Sequence, residues 1–222
     1  MRIAELSRRS GVSAPTIKFY VREGLLPAGE RTSHNQVRYS DTHLHRLRLV
    51  RALIDVGGLS IAATKAALAE IETPGRPLHG VLGVVHRSLA REHPALPEEQ
   101  LAAAQRDIDQ LAQRRGWRLT GESPALRNAV DALATMRQLG LDDLAGILDE
   151  YAAAAEQIAA AELDLTVQRA QQGDDVLAEK TAIGIVVGGA LVLSLLGLAQ
   201  EDASARRFPP PAPPGAPSGT PR

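Results

Sequence analysis

The sequence predicts a mostly α-helical protein with one small β-hairpin near its N-terminus. Alanine and leucine are abundant and aromatic residues make up only 3% of the chain, a composition that favours helix over strand. Glycine and proline divide most of the sequence into segments of helical length. One stretch differs: residues 29–40 are polar and turn-rich, and they alternate weakly around Val37 and Tyr39, as a hairpin does.

Four short helices are predicted in the first 72 residues, two before the hairpin and two after it. Ser13, Asp41 and Ser60 are suited to cap the second, third and fourth, because short polar side chains bond the free N–H groups of a first helical turn. Glycines end the first and third helices. The predicted helices are 3–9, 13–23, 41–56 and 60–72.

The first two helices have the pattern of a helix-turn-helix. This motif needs a supporting helix, a tight turn at a small residue and a recognition helix that enters the major groove of DNA. Ala4 and Leu6 are the supporting residues, Gly11 makes the turn, and Val12 and Ile17 pack back. The other polar and basic side chains of the second helix are left to contact DNA: Ser13, Thr16, Lys18, Tyr20 and Arg22.

The hairpin is expected to act as a wing beside the recognition helix. Its Arg31, His34, Asn35 and Arg38 side chains suit contact with the DNA backbone or minor groove. Residues 1–72 carry 11 Lys and Arg against 7 Asp and Glu, whereas the rest of the chain carries 14 against 19. A basic first part on an acidic remainder favours a polyanionic partner for the first part alone.

Five segments of this region stand in a defined order: IAELSRRSGVS, IKFY, REGLLP, RYS and HRLRLVRAL, the last followed by GLS. Together they resemble the N-terminal winged helix-turn-helix domain of the MerR family of bacterial regulators. The resemblance covers about 70 of the 222 residues. It implies a homodimer on a pseudo-palindromic operator, and many relatives twist and bend promoter DNA. We also expect RNA polymerase as a partner at the promoter.

The resemblance places the DNA contacts at Ser13, Thr16, Lys18 and Tyr20 in the recognition helix and at Arg38 and Tyr39 in the wing. The chain departs from the family pattern at Lys18, where the family usually has arginine, and lysine keeps the charge but loses the two-pronged hydrogen bond. Two alternatives stay open. Tyr39 can be a core residue, and Lys18 and Arg22 can form a solvated helix face.

The segment TPGRP at residues 73–77 divides the chain. Residues 1–73 are the predicted DNA-binding domain, residues 74–207 an all-α effector-binding and dimerisation domain, and residues 208–222 a disordered Pro-rich tail. The second domain is somewhat similar to the ligand-binding and dimerisation domain of TetR-type regulators, which implies a small-molecule effector. Its predicted helices are 77–92, 97–115, 124–139, 141–172 and 175–200.

Residues 182–199 run for eighteen positions without a charge. A helix that is apolar on all sides must be hidden, and we expect it between the two subunits. The alternative is a membrane span, because the length is near the lower limit for one and Gly184 and Gly188 form a GxxxG pair. No membrane partner is expected.

No pattern in the sequence indicates an enzyme, a metal site or a cofactor. The chain has no cysteine, which excludes thiolate ligands and nucleophiles, and it carries no phosphate-binding loop or other catalytic motif. His79, His86 and His93 recur about 10 Å apart along a helix, too far apart to ligate one zinc ion together. Trp117 is expected in the core or lining an effector cavity.

The sequence therefore predicts a ligand-responsive, homodimeric transcription regulator that binds double-stranded promoter DNA. The first residues lack an apolar signal core, so we expect it in the cytoplasm. Two alternatives stay open: an architectural or excisionase-like protein that bends DNA without an effector, and a membrane-tethered regulator.

Overall fold

The computed structural model describes residues 1–33, 36–73, 96–119, 123–171 and 176–208. Its regular structure is helical apart from one two-stranded antiparallel sheet, which confirms the predicted fold class. The elements are α1 (Ile3–Ser10), α2 (Ala14–Arg22), β1 (Glu30–Ser33), β2 (Gln36–Arg38), α3 (Asp41–Arg51), α4 (Ile61–Ile71), α5 (Glu98–Arg115), α6 (Pro124–Gln138), α7 (Asp142–Ala145), α8 (Leu148–Gln171) and α9 (Leu177–Arg207).

Helices α1 and α2 form the predicted helix-turn-helix. Gly11 ends α1 at φ 71°, and its N–H donates to the carbonyl of Ser7 at 2.9 Å, a left-handed conformation that glycine adopts without strain. Leu6 and Ile17 are buried between the helices. The supporting role predicted for Ala4 is wrong: Ala4 is exposed, because a residue two positions from Leu6 lies on another face of the helix.

Strands β1 and β2 form the predicted hairpin, with Glu30 opposite Arg38 in the antiparallel register. The base of the hairpin is tied to the start of the chain. The backbone N–H of Tyr39 donates to the carbonyl of Met1 at 2.8 Å, and the terminal amino group of Met1 donates to the carbonyl of Tyr39 at 2.6 Å. This pair of bonds fixes where the wing leaves the core.

Ser40, and not the predicted Asp41, caps α3. The backbone N–H of Ser40 donates to Nδ1 of His43 at 3.1 Å, and the Ser40 hydroxyl bonds the same nitrogen at 2.7 Å. Asp41 instead pairs with Arg9 of α1 at 2.9 Å. Serine and aspartate are both good N-cap residues. Here Asp41 is held by the ion pair with Arg9, and Ser40 is the cap.

Helix α3 runs without a break into a π-helical turn, Ala52–Val56, that the sequence reasoning did not predict. Its hydrogen bonds reach one residue further than those of an α-helix: the N–H of Gly57 donates to the carbonyl of Ala52 at 3.0 Å. Gly58, at φ 69°, ends the helix, so the predicted stop at the glycine pair is confirmed. Ser60 caps α4 as predicted.

One buried cluster holds the first four helices, the hairpin and the start of α9 together. Ala182 and Val186 of α9 belong to it, although they lie far along the chain from α4. The predicted domain division at residue 73 stays a prediction, and the start of α9 shares its core with the first 72 residues. The fully buried leucine, isoleucine and valine members are Leu6, Ile17, Leu25, Leu26, Leu47, Val50, Leu53 and Leu68.

Helices α5 and α6 agree with the predicted helices 97–115 and 124–139. They enclose a second, smaller core: Ala104, Ile108, Val130, Leu133 and Ala134.

The predicted single helix 141–172 is wrong, because α7 ends at Ala145 and α8 begins at Leu148. Gly146 stands at the break, and its N–H donates to the carbonyl of Asp143 at 3.0 Å. Helix α9 extends to Arg207, beyond the predicted end at residue 200, since no glycine or proline interrupts it there. The predicted helix 77–92 and the tail after residue 208 lie outside the described residues.

Candidate nucleic-acid interface

Helix α2 presents one side to the core and the other to solvent. Ile17 and Tyr20 are three residues apart and therefore lie on one side, and both are buried. Ser13, Lys18 and Arg22 are exposed. The predicted recognition helix thus keeps three of its proposed DNA-contacting side chains accessible, and their contacts with DNA stay a prediction.

The N-terminus of α2 carries two linked hydroxyl groups. The Oγ of Ser13 accepts a hydrogen bond from the backbone N–H of Thr16 at 3.2 Å, which confirms the predicted cap. The hydroxyl groups of Ser13 and Thr16 are 2.7 Å apart. The start of a helix also carries partial positive charge from its aligned peptide dipoles. These hydroxyls therefore stand where a phosphate is favoured electrostatically.

Lys18 and Arg22 lie one helical turn apart on the exposed side of α2. The guanidinium of Arg22 lies over the Phe19 ring, 5.2 Å from its centroid, and its Nε is 3.5 Å from a carboxylate oxygen of Glu23. These contacts hold Arg22 close to its own helix. Lys18 is the cation of α2 that projects into solvent without such a contact among the described residues.

Tyr20, which is predicted to contact DNA, is only 7% exposed and packs in the main core. Sequence reasoning treated it as part of the DNA-facing set, but Tyr20 follows Ile17 by three residues and shares its side of the helix. Burial raises the pKa of the Tyr20 hydroxyl, and the negative charge of Asp55 raises it further against a smaller opposing effect of Arg51. The DNA contact implied for Tyr20 stays a prediction.

The wing offers two exposed arginines, Arg31 on β1 and Arg38 on β2. Tyr39 is instead 9% exposed and packs edge-on against His43, with ring centroids 5.3 Å apart. Tyr39 is therefore packed as a core residue, which agrees with the alternative given for it. His34 and Asn35 lie outside the described residues.

Two further basic residues support the recognition helix from behind, and sequence reasoning missed them. Arg46 donates from Nε to the carbonyl of Leu25 at 2.8 Å, directly after α2. Arg51 pairs with Asp55 at 2.7 Å, and its Nη1 lies 3.5 Å from where a side chain on Gly11 would begin. The bond from Arg46 to Leu25 and the approach of Arg51 to Gly11 join residues far apart in the chain, so no local motif could mark them. The pair of Arg51 and Asp55 has the i, i+4 spacing of one helical turn.

The described C-terminal residues contain a polar cleft of about 340 Å³. Across it Arg114 pairs with Asp149 at 2.9 Å, and Arg137 pairs with Asp107. Its lining residues are Asp107, Gln110, Arg114, Arg137, Gly146, Leu148 and Asp149.

Trp117 does not line this cleft. Its indole N–H donates to Glu156 at 2.8 Å, and the residue is half-buried, so it belongs neither to the cavity nor to the deep core. The described residues contain no group of three metal-ligating side chains. His79, His86 and His93 fall outside the part of the chain that the structure describes.

Comparison with protein families matches residues 1–71 to the model described as MerR HTH family regulatory protein. The chain is 35% identical over 105 residues to heavy metal-dependent transcription regulator 2 of Rhizobium meliloti. The aligned stretch covers 47% of this chain and 67% of that protein. The chain is 34% identical over the same length to the HTH-type transcriptional regulator HmrR of Sinorhizobium medicae.

Among solved structures, the chain is similar to the putative transcriptional regulator SCO5550 from Streptomyces coelicolor A3(2). The two are 33% identical with a TM-score of 0.64, and the match covers 96% of this chain and 100% of that one. The likeness extends through the C-terminal helices. The comparisons do not confirm the similarity to TetR-type regulators expected for that region.

Replacing Lys18 with alanine should weaken binding to a duplex from the gene's own upstream region by about 1.5–3 kcal/mol, the worth of a hydrogen bond to a charged group. It should also lower the salt dependence of binding by about one phosphate contact. Fluorescence anisotropy at several salt concentrations measures both. Lys65→Ala, a matched change on α4, is the control, and equal affinities for the two variants would contradict the placement of α2 in the groove.

Replacing Tyr20 with phenylalanine should reduce the loss of stability at alkaline pH. The raised pKa of the folded Tyr20 means that the unfolded chain loses this proton first, so the free energy of unfolding falls as the pH rises above about 10. The phenylalanine variant has no hydroxyl proton to lose, so its free energy of unfolding lacks this dependence on pH. Urea unfolding between pH 8 and 11 tests it against Tyr151→Phe, on an exposed residue of α8; identical pH profiles for both variants would show that burial does not hold the Tyr20 proton.

Proposed function

We propose, because the chain belongs to the MerR family of HTH regulatory proteins, that it regulates transcription as a homodimer that binds a specific operator and responds to a small molecule. DNA binding and transcription regulation follow from this membership. The observation that carries the proposal is the recognition helix itself. Its buried side is fixed in the core, and Ser13, Lys18 and Arg22 remain exposed.

The proposed DNA contact uses two elements. Helix α2 would enter the major groove with Ser13, Thr16 and Lys18 at its leading end. Arg31 and Arg38 on the wing would neutralise flanking phosphates, which fixes the position of the protein without reading sequence. RNA polymerase at the same promoter and a cytoplasmic location are part of this proposal.

The proposed dimer uses the uncovered apolar surface of α8 and α9. Leu191, Leu195 and Leu198 recur at helical spacing and are 59%, 53% and 60% exposed in the single chain. Exposed apolar side chains on α8 add a second stripe. Large continuous apolar patches mark association surfaces, and a second copy of the chain places identical stripes against each other. The α8 stripe is Tyr151, Ile158 and Leu165.

A membrane-tethered regulator is the second candidate, and one observation favours it. Helix Leu177–Arg207 is long and apolar enough to cross a membrane by length and composition, with a mean hydropathy of 2.4 and 11% of its most apolar window buried within the chain. The docking of Ala182 and Val186 in the core argues against a span. Residues 187–199 that remain give about 20 Å of helix, short of a hydrocarbon core about 30 Å thick.

The proposed effector site is the polar cleft between α5, α6 and α8. Its ion pairs suit a charged, polar small molecule better than a lipophilic one, because an apolar ligand would leave buried charges without solvent. One relative reported above is named as heavy metal-dependent, but this chain has no cysteine to bind a soft metal. We expect a zwitterionic ligand to raise the melting temperature of the unaltered chain and not that of the Arg137→Ala variant. A screen in which no charged compound raises the melting temperature would favour a DNA-bending role without an effector.

The unaltered chain should bind the upstream duplex with strongly salt-dependent affinity and two chains per site. Leu195→Lys should separate the subunits, because a charge in the apolar stripe cannot be buried there, and should weaken operator binding. Sedimentation velocity and anisotropy measure the two effects, with Leu139→Lys as control at an exposed leucine outside α8 and α9. Absence of salt-sensitive affinity for any duplex would overturn the regulator proposal; a dimer that survives Leu195→Lys would overturn only the interface.

A further inference from the structure

The start of α9 docks against the DNA-binding unit at one place. Ala182 and Val186, 0% and 3% exposed, lie in the main core beside the π-helical turn Ala52–Val56. One turn earlier, Nε2 of His45 on α3 donates a hydrogen bond to the carboxylate of Glu179 at 2.7 Å. Two contacts on successive turns therefore set the position and the rotation of α9 against α3.

Gly57 makes this docking close. Its backbone is at φ −79° and ψ −12°, a conformation open to any residue, so glycine is not required there by the backbone. It is required by space. A Cβ on Gly57 would overlap Cγ1 of Val186 and would lie 2.8 Å from the carbonyl oxygen of Leu53.

The same π turn is also joined to the helix-turn-helix through the shared core, to which its Leu53 belongs. Arg51 and Asp55 form an ion pair across it at 2.7 Å. Arg51 reaches the turn at Gly11, and Asp55 is the charge that acts most strongly on the Tyr20 hydroxyl. The π turn thus packs against α9 at one end. At the other end its Leu53 shares the main core with Ile17 and Tyr20 of the recognition helix, and its Asp55 pairs with Arg51, the α3 residue that lies beside Gly11.

A π turn is a suitable element for such a connection. Its hydrogen bonds span one residue more than those of an α-helix, and turns of this kind occur frequently at functional sites. Coupling between distant parts of a protein needs an element whose arrangement both parts can bias. A change in the position of α9 would act on this turn at Gly57, against which Val186 packs.

We infer that the contact between Val186 and Gly57 is the joint through which α9 sets the position of the recognition helix. Val186 is then a positioning residue for DNA binding, although it contacts no DNA. The C-terminal helices, with the proposed dimer interface on the same α9, act on the operator through this joint. The inference rests on the proposed DNA binding.

The first test compares Val186→Ala with Val187→Ala, the same substitution at the next position of α9, outside the core cluster. Val186→Ala should weaken binding to the upstream duplex about fivefold without changing its salt dependence, because no phosphate contact is lost. Hydrogen exchange in residues 14–22 should become faster. Val187→Ala should stay within about twofold in affinity, and both proteins are measured as dimers at a temperature where thermal melts show them folded.

The second test is rescue. Gly57→Ala forces its methyl group against Val186 and should weaken DNA binding more than Val186→Ala does. In the double variant Gly57→Ala, Val186→Ala, the new methyl takes the place of Cγ1, so affinity and hydrogen exchange should return towards the values of Val186→Ala alone. A defect caused by the overlap of the new methyl group with the carbonyl oxygen of Leu53 would not be rescued. That overlap does not involve Val186, so it is the same in the single variant Gly57→Ala and in the double variant.

The outcomes separate the inference from the proposed function. If the unaltered chain does not bind duplex DNA, the proposed function fails. If it binds and Val186→Ala equals Val187→Ala in affinity and in exchange of residues 14–22, the joint is refuted and the function stands. If Gly57→Ala does not fold, the comparison of the two valine variants still decides.

Discussion

The burial of one side of α2 is the constraint on which the rest of the DNA-binding unit depends. A helix of nine residues is not stable by itself in water, so its position must come from packing. Ile17 and Tyr20 supply it by entering the core formed with Leu6 and Leu53. Since side chains three and four residues apart share a helix side, the burial of these two residues determines which polar residues of α2 face outwards.

The positive charge of the first 72 residues is divided between two tasks. Arg46 is bound to the carbonyl of Leu25, just after the recognition helix, and Arg51 is paired with Asp55 one turn further along its own helix. Lys18, Arg31 and Arg38 are exposed and free to neutralise phosphates. Net charge alone therefore overstates the surface available to DNA, and the internal partners of each arginine define it.

Helix α9 combines two surfaces along one length. Its first turns are part of the core of the DNA-binding unit, whereas its central leucines are uncovered in the single chain. Exposed leucines clustered along one helix in this way mark a surface for association with a partner. A dimer formed there would be linked mechanically to the recognition helices, because a rigid helix connects the two surfaces.

Features that depend on neighbouring residues could be predicted from the sequence: the cap at Ser13, the turn at Gly11, the antiparallel hairpin and most helix ends. The sequence also identified the family, because the motif segments keep a defined order. Three features were visible only in the folded chain: the burial of Tyr20 and Tyr39, the cap of α3 at Ser40 in place of Asp41, and the docking of Val186 on Gly57. The spacing of Tyr20 from Ile17 and of Ser40 from His43 is local, but the core that buries one side of α2 and the ion pair that occupies Asp41 come from distant residues. The docking of Val186 on Gly57 joins residues far apart in the chain, and local propensity carries no information about such a contact.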